Sequence, residues 1–153
     1  MVLVDESSRG LALATYQVSA SVVAYRPPVD APVIDRFRRP STPYGPGNRG
    51  WEYLTESGTA VRAAADGIVT FAGRVGPSFA VTLTHADGLR TSYSYLESVD
   101  VREGEAVAQG QSIGRSGPRL HFGVRRGDTY LDPATLFSAP TTIRVRLAPL
   151  RVA

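Results

Sequence analysis

The sequence contains no cysteine and no lysine among its 153 residues. Without cysteine there is no disulfide framework, no thiolate nucleophile and no cysteine-ligated metal centre. Without lysine there is no Schiff-base chemistry, no phosphate-loop lysine and no attachment point for a lipoyl or biotinyl group. Only two histidines, His85 and His121, are present to move protons near neutral pH. An enzyme made from this chain would have few groups for acid–base chemistry.

Long apolar runs are also missing, since no stretch reaches the roughly 18 to 20 residues that a membrane-spanning helix needs. We therefore predict no transmembrane segment. The formal net charge is +3, and the 17 basic residues are arginines that are scattered apart from the pairs Arg38-Arg39 and Arg125-Arg126. This scatter gives no support to nucleic-acid binding. Net charge alone does not choose between other anionic partners, such as a cell-wall polymer or a membrane surface.

Residues 1–25 form an N-terminal extension with more than one interpretation. Its second half is mostly apolar, and Val18-Ser19-Ala20 suits a signal peptidase, but Asp5 and Glu6 stand where an export signal carries positive charge. The alternatives are a misplaced start codon or a first strand, because TYQVSASVVAY alternates polar and apolar residues. The chain length suits one domain, which we place at residues 26–153.

A stretch rich in proline and glycine, Arg26 to Gly50, follows this extension. Proline fixes its own backbone dihedral and restricts the residue before it, so the stretch is not helical. We predict an extended loop of defined shape that wraps the domain. Its apolar residues Val33, Ile34 and Phe37 are expected to attach it to the core.

From Thr59 onward, short β-rich runs alternate with turn signals. The turn signals are the pairs Asp66-Gly67, Asp87-Gly88 and Gly127-Asp128. Strands this close together predict antiparallel hairpins in an all-β domain. Ile143 to Leu147 would add a terminal strand. One short helical turn is expected at residues 133–137, with Pro133 at its first position and Asp132 as its cap.

A glycine-punctuated run, VREGEAVAQGQSIG, occupies Val101 to Gly114. Its glycines at 104, 110 and 114 predict sharp corners between very short strands, as in a compact barrel-sandwich. Biotinyl and lipoyl carrier domains resemble this run. A carrier needs a lysine at its hairpin tip, and this chain has none, so that interpretation fails.

The same run also resembles the lysostaphin or LytM-like zinc metallopeptidases, and here the resemblance covers residues 32–137. The matching stretches are PYGPGNRGWEYL, SGTAVRAAADGIVTFAG, VTLTHADGLRTSYSYL, VREGEAVAQGQSIG and PRLHFGVRRGDTYLDP, in the family's order and spacing. The resemblance implies a compact antiparallel β-sandwich or barrel-sandwich hybrid of the LytM-like type (a duplicated hybrid motif). In that fold, long loops surround one groove.

Enzymes of this family hydrolyse peptide cross-links in peptidoglycan with a zinc ion, and most of their site residues are replaced here. The family's His-x-x-x-Asp ligand pair aligns with Asn48 and Glu52. Its catalytic histidine in Tyr-x-His-Leu aligns with Tyr95, and its His-x-His motif aligns with Arg119 and His121. Only His121 keeps the family's residue. The resemblance therefore implies a degenerate member of the family.

The replacements argue against a catalytic zinc, which normally has three histidine or carboxylate ligands and an open position for water. Glu52 and His121 are the remaining candidate ligands, because Asn48 offers only a neutral amide oxygen. Arg119 and His121 point to the same face of one strand, so Arg119 places a permanent cation near the zinc position. We predict that Arg119 replaces the zinc charge by pairing with Glu52.

Other roles remain open for several groove residues. Trp51 and Tyr53 either stack on a sugar or peptide or, for Trp51, plug the pocket. Tyr95 either packs or hydrogen-bonds to a ligand, with packing favoured. His121 is equally well explained as a buried, satisfied histidine. His85 is better explained by turn stabilisation or solvent exposure than by catalysis.

The leading prediction is a non-catalytic LytM-like domain that binds peptidoglycan or a cell-wall hydrolase or divisome-type partner, outside the cytoplasm in the cell envelope or secreted. It expects no cofactor and no catalytic residues. The groove residues would then be Trp51, Tyr53, Tyr95, Arg119 and His121. The alternative is a weakly active zinc-dependent peptidoglycan metalloendopeptidase, which lacks an obvious general base. A third interpretation is a filled groove with an outer surface that mediates assembly.

Overall fold

Nine β-strands and one helical turn lie in residues 22–138, the part of the chain that the computed structural model describes. The strands are β1 Val33–Asp35, β2 Gly50–Leu54, β3 Ala60–Arg62, β4 Gly67–Val75, β5 Ser78–Thr84, β6 Arg90–Val99, β7 Ala106–Val107, β8 Ser112–Arg126 and β9 Thr129–Leu131, and the helix is α1 Ala134–Phe137. Every strand pairing is antiparallel. The prediction of an all-β antiparallel fold is confirmed.

Strand β8 is the centre of the sheet. The strands follow the order β1-β2-β8-β6-β5-β4-β7, and β3 and β9 also pair with β8. At 15 residues, β8 is long enough to bond four neighbours along its length. Residues from distant parts of the sequence therefore meet on the surface of this one strand.

One face of the sheet carries the apolar core. Alternate residues of the central strands point to this face, as the two-residue period of a β-strand requires. The largest side chains buried there are Tyr93, Phe122, Leu83, Leu96, Ile113 and Leu120. Helical turn α1 lies over the same core, and its Phe137 ring stacks on Phe122 with centroids 5.9 Å apart. The opposite face is left open, and its polar side chains belong to the same strands.

The proline-rich stretch is extended and bonded to the domain, as predicted. The Arg26 amide donates to the Ala64 carbonyl at 2.8 Å, and the Arg62 amide donates to the Pro28 carbonyl at 2.9 Å. Val33 packs against the core. The prediction for Ile34 is wrong, because this side chain is exposed. Val33 and Ile34 are neighbours in β1, so only one of them can face the core.

Turn chemistry was predicted with two errors, at Asp66-Gly67 and at Gly114. Gly67 lies inside β4, and β3 pairs with β8, so Asp66-Gly67 is not a hairpin turn. Gly104 and Gly110 have positive φ values of 89° and 82° and form corners, as expected. Gly114 lies inside β8 instead, where a Cβ atom would come within 2.5 Å of the Ser98 carbonyl oxygen. Because Gly114 has no side chain, β6 and β8 can lie close together at this point. At α1, the Asp132 carboxylate accepts a bond from the Ala134 amide at 3.0 Å, in agreement with the predicted cap.

Three predictions concern residues outside the described part of the chain. They are the export signal, the alternative first strand, which lies mostly outside, and the terminal strand Ile143 to Leu147. Within residues 22–138, no helix is long and apolar enough to cross a membrane. Residues 23–138 belong to a single compact unit.

Candidate functional site

The open face of the sheet brings four of the predicted site residues together. Glu52 on β2 lies opposite His121 on β8, and Leu54 lies opposite Arg119. Because residues two apart share a face, Glu52, Arg119 and His121 all project from the open side. Tyr95 follows Ser94, the partner of His121 on β6. Three strands therefore supply one cluster.

Arg119 and Glu52 form an ion pair at the middle of this cluster. The Arg119 Nη1 donates to Glu52 Oε2 at 2.8 Å. The Glu52 side chain is only 16% exposed, whereas that of Arg119 is 57% exposed. The guanidinium thus covers the carboxylate from the solvent side. The pairing that the sequence predicted is present in the structure.

His121 is largely buried beside this pair. Its Nδ1 lies 3.9 Å from Glu52 Oε1, which is too long for a hydrogen bond. Burial lowers the pKa of His121, while the Glu52 and Asp35 carboxylates act in the opposite direction. The ring meets the Tyr95 ring edge-on at 6.2 Å between centroids. A neutral imidazole is the form that this environment favours.

Tyr95 is not a packing residue, which corrects the interpretation that the sequence favoured. It is the one described non-glycine residue with positive φ, at 65°, and its side chain is 49% exposed. The register between β6 and β8 shifts between Ser94 and Leu96. This bulge turns Tyr95 out of the strand's alternation and beside His121. A strained aromatic at an open groove is available to a ligand.

Asn48 is buried at the edge of the cluster. Its Oδ1 accepts a bond from the Gly50 amide at 3.1 Å, whereas its Nδ2 has no hydrogen-bond partner. Its backbone pairs with Arg38 in an isolated bridge. The Asn48 side chain therefore shapes the loop before β2, with one donor left for another group.

Sequence reasoning missed Asp35 and Arg38, which belong to the same region. Asp35 pairs with Glu52 across β1 and β2 and forms an ion pair with Arg38. The Arg38 guanidinium lowers the pKa of Asp35 through its hydrogen bond and its charge. An acidic residue in a proline-rich loop carries no site signal by itself, and only the β1–β2 register brings it here.

Trp51 and Tyr53 are not brought into this cluster. Both project to the face opposite Glu52, because they are its neighbours in β2. The Trp51 ring packs against Phe137, with centroids 5.7 Å apart, and below the Arg36 guanidinium at 5.2 Å. Tyr53 is 2% exposed, its hydroxyl has no partner, and burial raises its pKa to about 12. The structure places these two rings beneath the sheet.

A surface groove continues from the cluster on the Arg119 side. Its volume is about 520 Å³, and it is lined by Pro77, Ser78, Tyr95, Leu96, Glu97, Gly117, Pro118 and Arg119. Tyr95 and Arg119 form its border with the ion pair. The groove thus offers a phenol, a guanidinium and apolar wall to a bound chain.

These residues fit zinc poorly. Within residues 22–138, no three His, Cys, Asp or Glu side chains are placed to hold one metal ion. Glu52 is engaged by Arg119, and the Asn48 oxygen is engaged by the Gly50 amide. The nearby guanidinium would repel a divalent cation. No catalytic step through zinc follows from this arrangement.

His85 lies away from the cluster in a buried hydrogen-bond chain. Its Nδ1 lies 2.7 Å from the Asp66 carbonyl oxygen, and its Nε2 lies 2.7 Å from Thr91 Oγ1. Thr91 Oγ1 lies 2.9 Å from the Tyr93 hydroxyl, which accepts a bond from the Ala64 amide. A carbonyl only accepts, so Nδ1 donates, Thr91 donates to Nε2 and Tyr93 donates to Thr91.

These hydrogen bonds make His85 a buried structural residue. Protonation at Nε2 would turn this nitrogen into a donor towards Thr91 Oγ1, so the Thr91 hydroxyl hydrogen would lose its acceptor on the ring. Burial lowers the pKa of His85, against smaller effects of Asp66 and Asp87. Of the two alternatives for this residue, solvent exposure is wrong, since His85 is 4% exposed.

Acidification should therefore destabilise the protein through His85. The unfolded chain binds a proton near pH 6.5, whereas the folded chain resists it, so the free energy of unfolding should fall as the pH drops below about 6.5. His121 acts in the same direction. Urea unfolding from pH 7.5 to pH 5, with NMR titration of each ring, would measure both. A His85 ring that titrates at or above its ordinary pKa would contradict the assignment.

The fold and its site define a class: an antiparallel LytM-type β domain with a groove on the open face of the sheet. Residues 46–133 match the profile described as Peptidase family M23, which spans more than half of the chain. The chain belongs to this family. The resemblance deduced from the sequence is confirmed.

Named relatives include enzymes and a hydrolase activator. The DD-carboxypeptidase/endopeptidase Mpg of Neisseria meningitidis is 39% identical over 94 residues, which cover 57% of this chain and 22% of that protein. The murein hydrolase activator NlpD of Salmonella typhimurium is 32% identical over 123 residues, which cover 75% of this chain and 32% of that protein. This chain therefore matches a third or less of each relative's length.

A solved structure gives the same fold. The catalytic domain of lysostaphin from Staphylococcus simulans superposes with a TM-score of 0.64 at 25% identity, over 72% of this chain and 94% of that domain. The described β domain thus corresponds to nearly the whole of a peptidase catalytic domain.

Proposed function

We propose that this chain is a non-catalytic LytM-like domain that binds peptidoglycan or a cell-wall hydrolase partner in the bacterial cell envelope. The observation that carries the proposal is the ion pair between Arg119 and Glu52. It puts a permanent positive charge where the family holds zinc, and it occupies the carboxylate that aligns with a family ligand.

The charges of this cluster are also balanced without a metal ion. A buried carboxylate needs a compensating partner, and Arg119 supplies one at 2.8 Å. Neutral His121 needs no counter-charge. The site's charges are therefore balanced by side chains, and the groove keeps its shape with no ion between them.

The one candidate base in this cluster is the neutral His121 imidazole, and if it served as the base it would no longer be available as a zinc ligand. A guanidinium is a permanent cation that does not accept a proton, and a phenol is a weak base, so neither Arg119 nor Tyr95 suits this role. His85 is held in its own hydrogen-bond chain. Glu52 is paired. The residues that remain are suited to binding, since Tyr95 and Arg119 present hydrogen-bond donors at the groove.

The relatives support a role at the cell wall. One is named as an endopeptidase and another as a murein hydrolase activator, so both hydrolysis and its activation occur among similar chains. Because its site fits zinc poorly, we group this protein with the family members that bind or activate and do not hydrolyse. We expect it to act outside the cytoplasm, where the cell wall lies. Its partner would be the wall polymer or a hydrolase that acts on it.

A weakly active zinc endopeptidase is the second candidate. The observation in its favour is that Glu52 and His121 are neighbours, with Oε1 and Nδ1 3.9 Å apart. If Arg119 swung away, these two groups could approach a metal with water as the remaining ligand. This candidate requires zinc binding by the unaltered protein.

Zinc content separates the two candidates. Elemental analysis and calorimetric titration of the purified protein at neutral pH should show no stoichiometric zinc, because two side-chain donors and a nearby cation make a weak site. The variants Arg119→Ala and His121→Ala should be measured alongside. One equivalent of tightly bound zinc that is lost in His121→Ala would favour the peptidase and reject the proposal. Zinc bound only by Arg119→Ala would identify the guanidinium as the excluding group.

Binding itself is tested with insoluble peptidoglycan and with wall-hydrolase activity. The protein should co-sediment with the polymer or stimulate a wall amidase or peptidase, and the double variant Tyr95→Ala, Arg119→Ala should do neither. Arg74→Ala is the matched control, because Arg74 lies over Phe79 on another strand. Retention of full binding in the double variant would remove the groove from the proposal.

A further inference from the structure

A row of side chains crosses the open face of the sheet, beyond the cluster that contains Glu52, Arg119 and His121. Arg125 on β8 lies opposite Arg90 on β6, and Arg90 lies opposite Thr84 on β5. On the other side of β8, Tyr130 on β9 lies opposite Arg125. Arg125 is four residues beyond His121 in β8, so the row shares the face of the groove. None of these four residues aligns with the family's zinc-ligand or catalytic positions described above.

Two arginines directly opposite each other are unfavourable unless something compensates them. Cross-strand partners have Cβ atoms about 4.5 to 5.5 Å apart, and like charges at this separation destabilise a sheet. Among the described ion pairs, none includes Arg90 or Arg125. Asp128, on the adjoining turn between β8 and β9, lies beyond ion-pair distance of both. The described residues supply no carboxylate for this pair of cations.

The same row also holds two unsatisfied polar atoms. Arg125 Nε and Thr84 Oγ1 are buried and have no hydrogen-bond partner. In the neighbouring row, by contrast, Thr82 and Ser92 satisfy each other with their hydroxyl oxygens 3.2 Å apart. Buried donors without acceptors are rare and costly. A guanidinium N–H and a hydroxyl that both lack an acceptor, beside a second guanidinium, are complementary to an oxyanion.

We propose that the row Tyr130–Arg125–Arg90–Thr84 is an oxyanion-binding site, distinct from the Arg119 cluster, for a carboxylate or phosphate group. Paired guanidiniums bind either group through several charge-assisted hydrogen bonds. Arg125 would donate from Nε, Thr84 from its hydroxyl and Arg90 from its exposed guanidinium. The bound anion would remove the repulsion between the two arginines. This inference does not depend on whether the Arg119 cluster binds zinc.

The site is tested by titrating the protein with sodium phosphate and, separately, with sodium acetate at constant ionic strength. The Arg125 Nε–H signal in ¹⁵N NMR should move in a saturable way with at least one anion. Arg90→Gln and Thr84→Val should each weaken the affinity, by about tenfold for the lost charge-assisted bond of Arg90. Arg102→Ala, on an exposed loop, is the control and should leave the affinity unchanged.

The outcomes divide clearly. Tighter binding of phosphate would favour a phosphorylated ligand, and tighter binding of acetate would favour a carboxylate ligand. Either result supports the site. A linear, non-saturable shift with both anions would overturn it, as would equal affinities in the wild type and in Arg90→Gln. Arg125→Lys adds a second check, because it keeps the charge but removes Nε and should still lose affinity. Circular dichroism would verify that each variant is folded.

Discussion

Replacing Asn48 and Arg119 together with histidine should create a zinc site in this chain. Asn48→His adds an imidazole at the first ligand position, and Arg119→His removes the cation that engages Glu52. With Glu52 and His121 unchanged, the new imidazole at position 48 would complete the three positions that align with the family's zinc ligands. Single changes around metal sites alter affinity about 10- to 100-fold, so we expect a gain of at least about a hundredfold. Calorimetric titration with zinc at pH 7.5 would measure it.

The matched control removes the positive charge of Arg119 without introducing imidazoles. In Asn48→Gln with Arg119→Gln, the cation is absent but the donors are still amides, and zinc affinity should stay low. Equal affinity in both double variants would mean that charge removal alone opens the site. Failure of the histidine variant to bind zinc, while folded by circular dichroism, would show that this backbone no longer places the ligands as the family does.

Gly50→Ala should be one of the most destabilising single changes in the domain. A Cβ atom at this position would lie 2.2 Å from the Phe122 carbonyl oxygen and 2.9 Å from His121 Nε2. The first contact is with the backbone of β8, which cannot move aside without disturbing the central pairing. We expect a loss of about 2 to 4 kcal/mol in the free energy of unfolding. Urea unfolding at pH 7.5 would measure this loss.

Gly73→Ala is the control for the Gly50 prediction. Gly73 also lies inside a strand, β4, but its Cβ would meet only the Phe71 ring at 3.5 Å, an ordinary contact. Its substitution should be close to neutral. Comparable losses in the two variants would mean that the cost comes from strand glycines in general and not from the contact between β2 and β8.

Much of the fold follows from the sequence because its signals are local. The turns at Asp87-Gly88 and Gly127-Asp128, the alternation of apolar residues and the Asp132-Pro133 pair each depend on a few neighbouring residues, and these predictions held. The pairing of Arg119 with Glu52 was also accessible, because the two positions are fixed by motifs. Gly114 was assigned to a corner because a glycine needed for close contact with Ser98 looks the same in sequence as a glycine needed for a turn.

The errors at the site come from non-local structure. Tyr95 looks like a strand residue, and only the shift in register against β8 turns it outward. Asp35 enters the cluster through the pairing of β1 with β2, which nothing in the proline-rich stretch predicts. The row of Arg90 and Arg125 depends on the register between two strands that are far apart in sequence. Such cross-strand neighbours are invisible until the sheet order is known.

The central position of β8 fixes a length on the surface of the protein. Arg119 and Arg125 are carried by this one strand, six residues apart, which corresponds to about 20 Å at the rise of a β-strand. Because β8 is bonded along this segment to β2, β6 and β9, movement of the surrounding loops leaves that separation unchanged. The distance between Arg119 and Arg125 is therefore fixed by the strand, and a ligand that binds both residues must be long enough to span it.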